Sequence, residues 1–272
     1  MYTFVSMISE IIYTVNLDSG FGNQLFKLAS IYGLSRKHNT KFVIYSFLID
    51  KSPHSSQGYQ HFYSQWLALS TPVNTNFIQI NENGKDCLTY IEYQPQSTNT
   101  FFKGYYQTSK YFQHIKDEIC DMWKAPEDIK NKLQAKYDLE NAAFIHVRLN
   151  DYLLHYPASY FENLHAYYKK ALEKFKNNEN ANIKFYLCTD DPQKCREMFP
   201  EFNKLQAVAE DEINTLWFMS LCKYGGICAN STFSWWGSYL NTSPVKIVCM
   251  PQKWLNNSDQ AGDIHYEGVY VI

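Results

Sequence analysis

The sequence lacks an excess of positive charge, any long apolar run and any pair of cysteines spaced to hold zinc. Lys and Arg total 25 against 27 acidic residues, a formal charge of -2, which disfavours a nucleic-acid-binding function. No segment approaches the ~20 apolar residues that span a bilayer, and the N-terminus lacks the basic start of a secretory signal. We therefore expect a soluble, cytoplasmic protein without an integral membrane segment.

The cysteines number 7, an odd count, and none are spaced as C-x-x-C. This pattern implies neither a disulfide framework nor a zinc site, so we expect buried free thiols in a reducing compartment. Hydrophobic residues make up 45% of the chain and aromatic residues 17%, as is typical of a folded globular protein.

The first half of the chain shows a few clear elements of secondary structure. The apolar run Ile11–Val15 predicts a strand, Asn23–Lys37 an amphipathic helix, and Phe42–Tyr45 a second strand. Residues 50 to 100 are rich in polar side chains and show little periodicity, so we expect long loops there.

The second half alternates regularly between strands and helices. The predicted strands are Ala142–Val147, Ile183–Cys188, Ile227–Ala229 and Val245–Met250. The predicted helices are Tyr160–Phe175, a short one after Pro192, Glu212–Cys222 and Thr232–Leu240. This alternation predicts an α/β fold of parallel βαβ units, with ligands bound at the carboxyl ends of the strands. We place a reduced α/β N-terminal domain at 1–135 and a Rossmann-like domain at 136–272.

A glycine-containing turn, Gly20-Phe21-Gly22-Asn23-Gln24, joins the first strand to the first helix. Two glycines let a backbone turn sharply and approach a ligand, and a helix N-terminus offers free N–H groups to an anion. The segment is not a full G-x-G-x-x-G and has no P-loop lysine. A tight strand-to-helix turn without a ligand explains it equally well.

The strand Ala142–Val147 leads into a polar end that contains His146, Arg148 and Asp151. Strand alternation places His146 and Arg148 on one side, and the fork of an Arg side chain suits phosphate oxygens. An Arg148–Asp151 ion pair that closes the turn is the alternative.

Two further strand ends carry polar residues. At the first, Asp191 precedes Pro192 and is expected to cap a helix, which leaves Asp190 to accept hydrogen bonds from a base or ribose. At the second, Asn230, Ser231 and Thr232 precede a helix and suit a phosphate, although Ser231 or Thr232 is equally suited to capping.

The residues Phe233, Trp236 and Leu240 recur at helical spacing, which favours a place in the core. Because the carboxyl ends of parallel strands meet at one edge of a sheet, the three polar strand ends should converge on one nucleotide site.

Five segments give the chain its resemblance to glycosyltransferase family 11, the α-1,2-fucosyltransferases, and more distantly to the α-1,6- and protein O-fucosyltransferases. They are Gly20–Phe26, Phe102–Phe112, His146–Arg148, Thr189–Asp191 and Ala229–Gly237. The resemblance implies a GT-B-like fold with two Rossmann-like halves. It implies inverting transfer of L-fucose from GDP-β-L-fucose to a glycan hydroxyl, expected at O-2 of a galactose-type residue, without a metal or other cofactor. A soluble chain of this kind is typical of a bacterial or viral enzyme.

By the same resemblance, His146 and Asp190 would contact guanosine, and Arg148 would bind the β-phosphate. The turn Asn230-Ser231-Thr232 would hold the pyrophosphate, and Gly22 and Asn23 would lie beside the donor or the acceptor. The acceptor itself would be bound by the N-terminal domain, mainly by its loop-rich region.

The sequence departs from the family pattern at one place. Members usually read H-x-R-R-G-D-Y, whereas this chain has Leu149 and Asn150 in place of the second Arg and the Gly. This leaves two alternatives open, namely a transferase for another GDP-sugar and an inactive module that binds GDP or a glycan. Asp151 is our candidate for the general base, with His155 and Asp18 as alternatives and a structural role for Asp151 equally open.

Overall fold

The computed structural model describes residues 10–50, 59–68, 76–82, 87–155, 164–176, 182–254 and 262–272. The chain divides into two compact units, Met1–Ile115 and Lys116–Ile272. The expected boundary at residue 135 lies later in the chain than this division. The difference arises because helices Lys116–Met122 and Glu127–Lys136, which the sequence analysis did not predict, belong to the second unit.

The first unit contains a four-stranded parallel sheet with the order β2-β1-β6-β5 and a separate pair, β3-β4. Its strands are β1 (Ile12–Val15), β2 (Lys41–Phe42), β3 (Ile44–Tyr45), β4 (Leu67–Ala68), β5 (Ile78–Asn81) and β6 (Thr100–Lys103). The predicted strand Phe42–Tyr45 is therefore two short strands in different sheets. Within 50 to 100, where loops were expected, residues 51–58, 69–75 and 83–86 lie outside the described part, and β4, β5 and the helix Gln60–Tyr63 fall between them.

The helix Phe21–His38 covers the first sheet and is longer than predicted at both ends. The periodicity places Leu25, Leu28, Ala29 and Tyr32 on one face; the first three are buried, and Tyr32 is half-buried. The helix ends at Asn39, whose left-handed backbone (φ 53) turns the chain so that the N–H of the next residue, Thr40, donates to the carbonyl of Ser35 at 2.9 Å.

The second unit contains a six-stranded sheet in which every pairing is parallel, with the order β12-β11-β10-β7-β8-β9. Its strands are β7 (Ala142–Val147), β8 (Lys184–Thr189), β9 (Gln206–Ala207), β10 (Gly225–Ile227), β11 (Ile247–Met250) and β12 (Tyr270–Val271). The strand order reverses between β7 and β10, and ligands of open α/β sheets bind at such a switch point.

The helices of the second unit follow the predicted alternation. After the two unpredicted ones comes a third that was not predicted, Asn150–His155. The predicted helices are then Leu164–Lys176, Pro192–Met198, Glu212–Leu221 and Thr232–Tyr239. The first four residues of the predicted helix Tyr160–Phe175 lie outside the described residues, which resume at Leu164. All six residues of β7 are buried, as a central parallel strand requires.

One glycine shows how closely the central strands pack. Gly226 on β10 pairs with Phe144 on β7, and a Cβ at Gly226 would overlap the carbonyl oxygen and ring of Phe144. The strand predicted at 227–229 begins earlier, at Gly225. Glycine at position 226 allows β10 to approach Phe144 of β7 this closely.

Candidate functional site

The carboxyl ends of β7 and β8 lie side by side. The two strands pair in parallel, with His146 opposite Cys188 and Val147 opposite Thr189. Arg148 and Asp190 each follow directly after the end of their strand, so the fold brings these two predicted site residues together.

Arg148 lies between two carboxylates. Its Nε is 2.9 Å from Oδ1 of Asp151, and its Nη1 is 3.2 Å from Oδ2 of Asp190. The Arg148–Asp151 ion pair that the sequence offered as an alternative is therefore present. Burial by itself lowers the pKa of Arg148, but the charges of Asp190 and Asp151 raise it overall, so the guanidinium stays charged.

The carboxylate of Asp190 is already engaged by the protein. It accepts hydrogen bonds from the backbone N–H groups of Leu149 (2.9 Å) and Asn150 (3.2 Å), at the start of the helix Asn150–His155. Asp190 thus caps a helix that belongs to the neighbouring strand end. Its neighbour Asp191 caps its own helix by accepting from the N–H of Lys194 at 2.9 Å, which confirms the sequence prediction.

His146 is 4% exposed, and its Nδ1 has no hydrogen-bond partner among the residues that the structure describes. Burial, and then the charge of Arg148, lower the pKa of His146 to about 3. The imidazole is therefore neutral near pH 7. Its ring centroid lies 5.6 Å from that of Phe233, and its backbone carbonyl accepts from the hydroxyl of Tyr168 at 2.7 Å.

A cavity of about 290 Å³ opens beside these groups and is lined by His146, Arg148 and Asp190. Glu210, Glu212, Thr215 and Phe233 also line it, and the sequence analysis did not identify any of these four as site residues. Phe233 was expected in the core with Trp236 and Leu240. That expectation is wrong for Phe233, which is half-buried because its ring lies on the cavity wall beside His146, whereas Trp236 and Leu240 are buried.

The acidic run before the helix Glu212–Leu221 was the available signal for Glu210 and Glu212. The middle residue, Asp211, caps this helix by accepting from the N–H of Asn214 at 2.8 Å. The two glutamates on either side of it are left to line the cavity. Glu210 also contacts Lys136 and the hydroxyl of Tyr137.

The turn that contains Asn230 follows β10, next to β7 in the sheet. Ser231 is the N-cap of the helix Thr232–Tyr239, since its Oγ accepts from the N–H of Phe233 at 3.4 Å. Asn230 donates to the carbonyl of Trp254 at 3.0 Å and accepts at its own carbonyl from the hydroxyl of Tyr152 at 2.9 Å. Asn230, Ser231 and Thr232 are not among the residues that line the described cavity, but the next residue, Phe233, is.

The glycine turn with Gly22 and Asn23 lies in the first unit. Its sharp bend is made by Ser19, which has a left-handed backbone (φ 70), whereas Gly20 has an ordinary φ of -62. The expectation that glycines make this bend is therefore wrong. Asn23 accepts from the side chain of Gln107 at 2.9 Å, which joins the first two segments of the family resemblance.

The remaining base candidates differ in what the structure shows. Asp151 has 48% of its side chain exposed beside Arg148, and Asp18 has 43% exposed in the first unit. The side chain of His155 lies outside the described part of the structure.

The described part of the chain contains neither a metal-binding cluster nor a membrane-spanning helix. No group of three or more His, Cys, Asp or Glu side chains there could hold a metal ion. Likewise, no helix in the described segments is both long and apolar enough to cross a membrane.

Comparison with known proteins places the chain in a family. The model of glycosyl transferase family 11 matches residues 3–263. The chain is 29% identical over 171 residues to the O-antigen biosynthesis glycosyltransferase WbnK of Escherichia coli, a match that covers 58% of this chain and 56% of that protein. It is also 29% identical over 168 residues to an alpha-1,2-colitosyltransferase of Escherichia coli, 58% of this chain and 57% of that protein. The chain thus spans little more than half the length of these relatives.

Solved structures show the same fold. The NodZ alpha-1,6-fucosyltransferase in a crystal soaked with GDP-fucose has a TM-score of 0.54 and 17% identity, covering 85% of this chain and 93% of that one. The fucosyltransferase NodZ from Bradyrhizobium gives a TM-score of 0.54 at 16% identity, with 84% and 92% covered. The predicted α/β, GT-B-like fold and the predicted family are confirmed.

Proposed function

The chain belongs to glycosyl transferase family 11, and we propose that it is an inverting, metal-independent fucosyltransferase. It transfers L-fucose from GDP-β-L-fucose to O-2 of a galactose-type residue on an acceptor glycan. The observation that carries this proposal is Arg148, a permanent cation at the switch point of a parallel sheet, on the wall of a cavity that is also lined by His146. The Nδ1 of His146 has no hydrogen-bond partner in the described part of the chain. The names of the relatives support glycosyl transfer.

The cavity is the place for the guanosine. Its volume of about 290 Å³ is close to the lower end of ligand pockets, roughly 300 Å³, and suits a base with its ribose. The buried Nδ1 of His146 supplies a hydrogen-bonding group to the nucleoside, and the ring of Phe233 supplies an apolar wall. One of the carboxylates that line the cavity (Asp190, Glu210 or Glu212) accepts hydrogen bonds from the N–H groups on the edge of guanine. Adenine and uracil do not present N–H groups in the same pattern.

Asp190 acts on the donor mainly through Arg148. Its two oxygens hold the N–H groups of Leu149 and Asn150, and one of them also pairs with the guanidinium. This arrangement fixes the direction in which Arg148 extends from the strand. It also explains how the site accommodates Leu149 and Asn150 in place of the family's Arg and Gly, because Asp190 binds the backbone N–H groups of these two residues. The side chain of Leu149 is buried in the core.

The chemical step is displacement at the anomeric carbon. As the acceptor hydroxyl attacks, negative charge grows on the β-phosphate of the departing GDP. Arg148 and the N–H groups at the start of the helix Thr232–Tyr239, preceded by Asn230 and Ser231, stabilise that charge without reorganisation. The loss of one such preorganised donor typically costs on the order of 3 kcal/mol.

Asp151 is the proposed general base. In the structure its Oδ1 is held by Nε of Arg148 at 2.9 Å, so that this oxygen is occupied before the donor binds. A bound β-phosphate competes for the same guanidinium. Donor binding thereby releases Asp151 to accept the proton of the acceptor hydroxyl, so the base becomes active when the leaving group is in place.

A transferase for another sugar nucleotide is the second candidate, favoured by the relative that is named for colitose transfer. A panel of GDP-sugars, with GDP release as the readout, separates the two. A module that binds without turnover is the third candidate, and it predicts calorimetric GDP binding with no GDP release from any donor.

Incubation of the protein with GDP-fucose and a glycan array tests the proposal directly. We expect fucose on galactose-terminated glycans and, by NMR of the product, an α-1,2 linkage. Transfer of a different sugar from the panel, or GDP binding without any transfer, contradicts the proposal.

A further inference from the structure

The two central strands of the first unit end side by side. In the sheet order β2-β1-β6-β5, β1 and β6 are parallel neighbours, and Val15 lies opposite Phe102. The residues just beyond these strands therefore meet at the carboxyl edge of the sheet, where open α/β sheets bind their ligands. They include Asp18 after β1 and Tyr105 after β6.

A buried lysine, Lys27, contacts both Asp18 and Tyr105. Lys27 is 2% exposed, its ammonium group pairs with Asp18, and the same group lies 4.9 Å from the centre of the Tyr105 ring. An ammonium group taken out of water is stable only when it is paired, so Lys27 fixes the positions of the carboxylate and the ring relative to each other.

Asp18 keeps acceptor capacity. Among the described residues its Oδ1 accepts from Lys27 and from the hydroxyl of Ser19 (3.1 Å), and its Oδ2 accepts from the amide of Asn16. A carboxylate offers about four acceptor positions, and 43% of this side chain is exposed. One position therefore remains for a ligand on the accessible side.

Tyr105 is fixed and yet accessible. Its backbone N–H donates to Glu82 at 2.7 Å, and its hydroxyl lies 3.4 Å from that of Ser19, while 40% of the residue is exposed. The residues next to this pair, Ser19 (φ 70) and Tyr106 (φ 52), both adopt the left-handed backbone that non-glycine residues rarely take. Such strain is concentrated at binding and catalytic sites.

We propose that Asp18 and Tyr105 form the subsite for the acceptor sugar of the proposed transferase, on which this inference rests. A pyranose has an apolar face of C–H groups and an edge of hydroxyls. The ring of Tyr105 takes the C–H face, because the face of an aromatic ring is negative and attracts polarised hydrogens. Asp18 accepts a charge-assisted hydrogen bond from a sugar hydroxyl. If the Lys27–Asp18 ion pair had only a structural role, it would not require the exposed ring of Tyr105 beside it.

Saturation-transfer NMR with lactose and the full chain tests the subsite without any donor. In the variant Tyr105→Ala we expect the lactose signal to be lost, and in Tyr105→Phe, which keeps the ring, we expect it to persist. Tyr270→Ala is the matched control, since Tyr270 is 48% exposed and also lies over a lysine, with Nζ of Lys174 at 5.1 Å from the ring centre. Equal lactose signals from Tyr105→Ala and wild type, or no signal from wild type, overturn the proposal.

Kinetics provide the second arm. The KM for lactose should rise roughly fivefold to tenfold in Tyr105→Ala, as the loss of one ring contact predicts, while the KM for GDP-fucose stays unchanged. Asp18→Asn should also raise the KM for lactose, with its folding checked by thermal unfolding. Calorimetric GDP binding separates the two proposals, because a failed subsite leaves GDP binding and transfer intact. A failed donor assignment abolishes transfer from GDP-fucose but leaves the lactose NMR result readable.

Discussion

Replacement of Asp190 by Asn tests the proposal that this carboxylate positions the side chain of Arg148. Asp190 is 16% exposed, accepts two backbone N–H groups and pairs with Arg148. In Asp190→Asn one of the N–H groups must face the new NH₂ group, and the pair with Arg148 is lost. Leaving a buried donor unsatisfied costs about 2 kcal/mol, which corresponds to a decrease in thermal midpoint of roughly 4–8 °C.

Activity should fall in the same variant, because Arg148 loses one of its two anchors. We expect kcat for GDP-fucose to decrease on the order of tenfold or more, as is typical when a preorganised donor is loosened. Asp191→Asn is the control: Asp191 caps the helix Pro192–Met198, and Asn is an equally good N-cap. Thermal unfolding and steady-state GDP release would be measured for both variants. Identical behaviour of the two would refute the positioning role of Asp190.

Three further predictions concern the fold and the site. Because the pKa of His146 is lowered to about 3, the unfolded chain takes up a proton that the folded chain does not as the pH falls below about 6.5. Between pH 7 and pH 5, the free energy of unfolding measured in urea should therefore decrease by about 2 kcal/mol more for wild type than for His146→Asn, and equal decreases would contradict a buried neutral imidazole. Gly226→Ala should destabilise the second unit by about 1–3 kcal/mol, because its methyl group would overlap Phe144. In urea, Gly20→Ala should unfold close to wild type, since no described residue other than its chain neighbours has an atom within 4 Å of the added carbon. EDTA should leave fucosyl transfer unchanged in a GDP-release assay, whereas loss of activity that Mn²⁺ restores would rule out a metal-independent mechanism.

The second unit was largely predictable from the sequence because the strands in the middle of its sheet contain buried apolar runs. Ala142–Val147 was predicted to the residue, since a central parallel strand is apolar on both faces. The first unit was harder: β2 and β3 are two residues each, and β6 is a short run with an exposed lysine at its end. Periodicity cannot define elements of that length.

The site was predictable as a set of strand ends but not as a set of contacts. The contact between Asp190 and the N–H groups of Leu149 and Asn150 depends on the register that places Val147 opposite Thr189. No local pattern contains that register. Glu212 was not predicted to line the cavity, because an acidic residue at the start of a helix is typical of ordinary capping.

Phe233 shows the opposite error. Its spacing from Trp236 and Leu240 matches a buried helical face, yet its ring lies on the cavity wall beside His146, although Ser234 and Trp235 in the same helical turn are buried. Phe233 therefore lines the cavity while Trp236 is buried in the core.

The most direct test of the account is the turnover of Arg148→Ala with GDP-fucose as donor. Arg196→Ala is the control, since Arg196 lies on the helix Pro192–Met198 and donates to the carbonyl of Leu205 at 3.3 Å. If Arg148 stabilises the charge of the departing diphosphate, kcat for Arg148→Ala should fall on the order of 100-fold or more while Arg196→Ala stays near wild type. A folded Arg148→Ala variant whose kcat remains within about threefold of wild type, far short of the loss expected for one such donor, would contradict the claim.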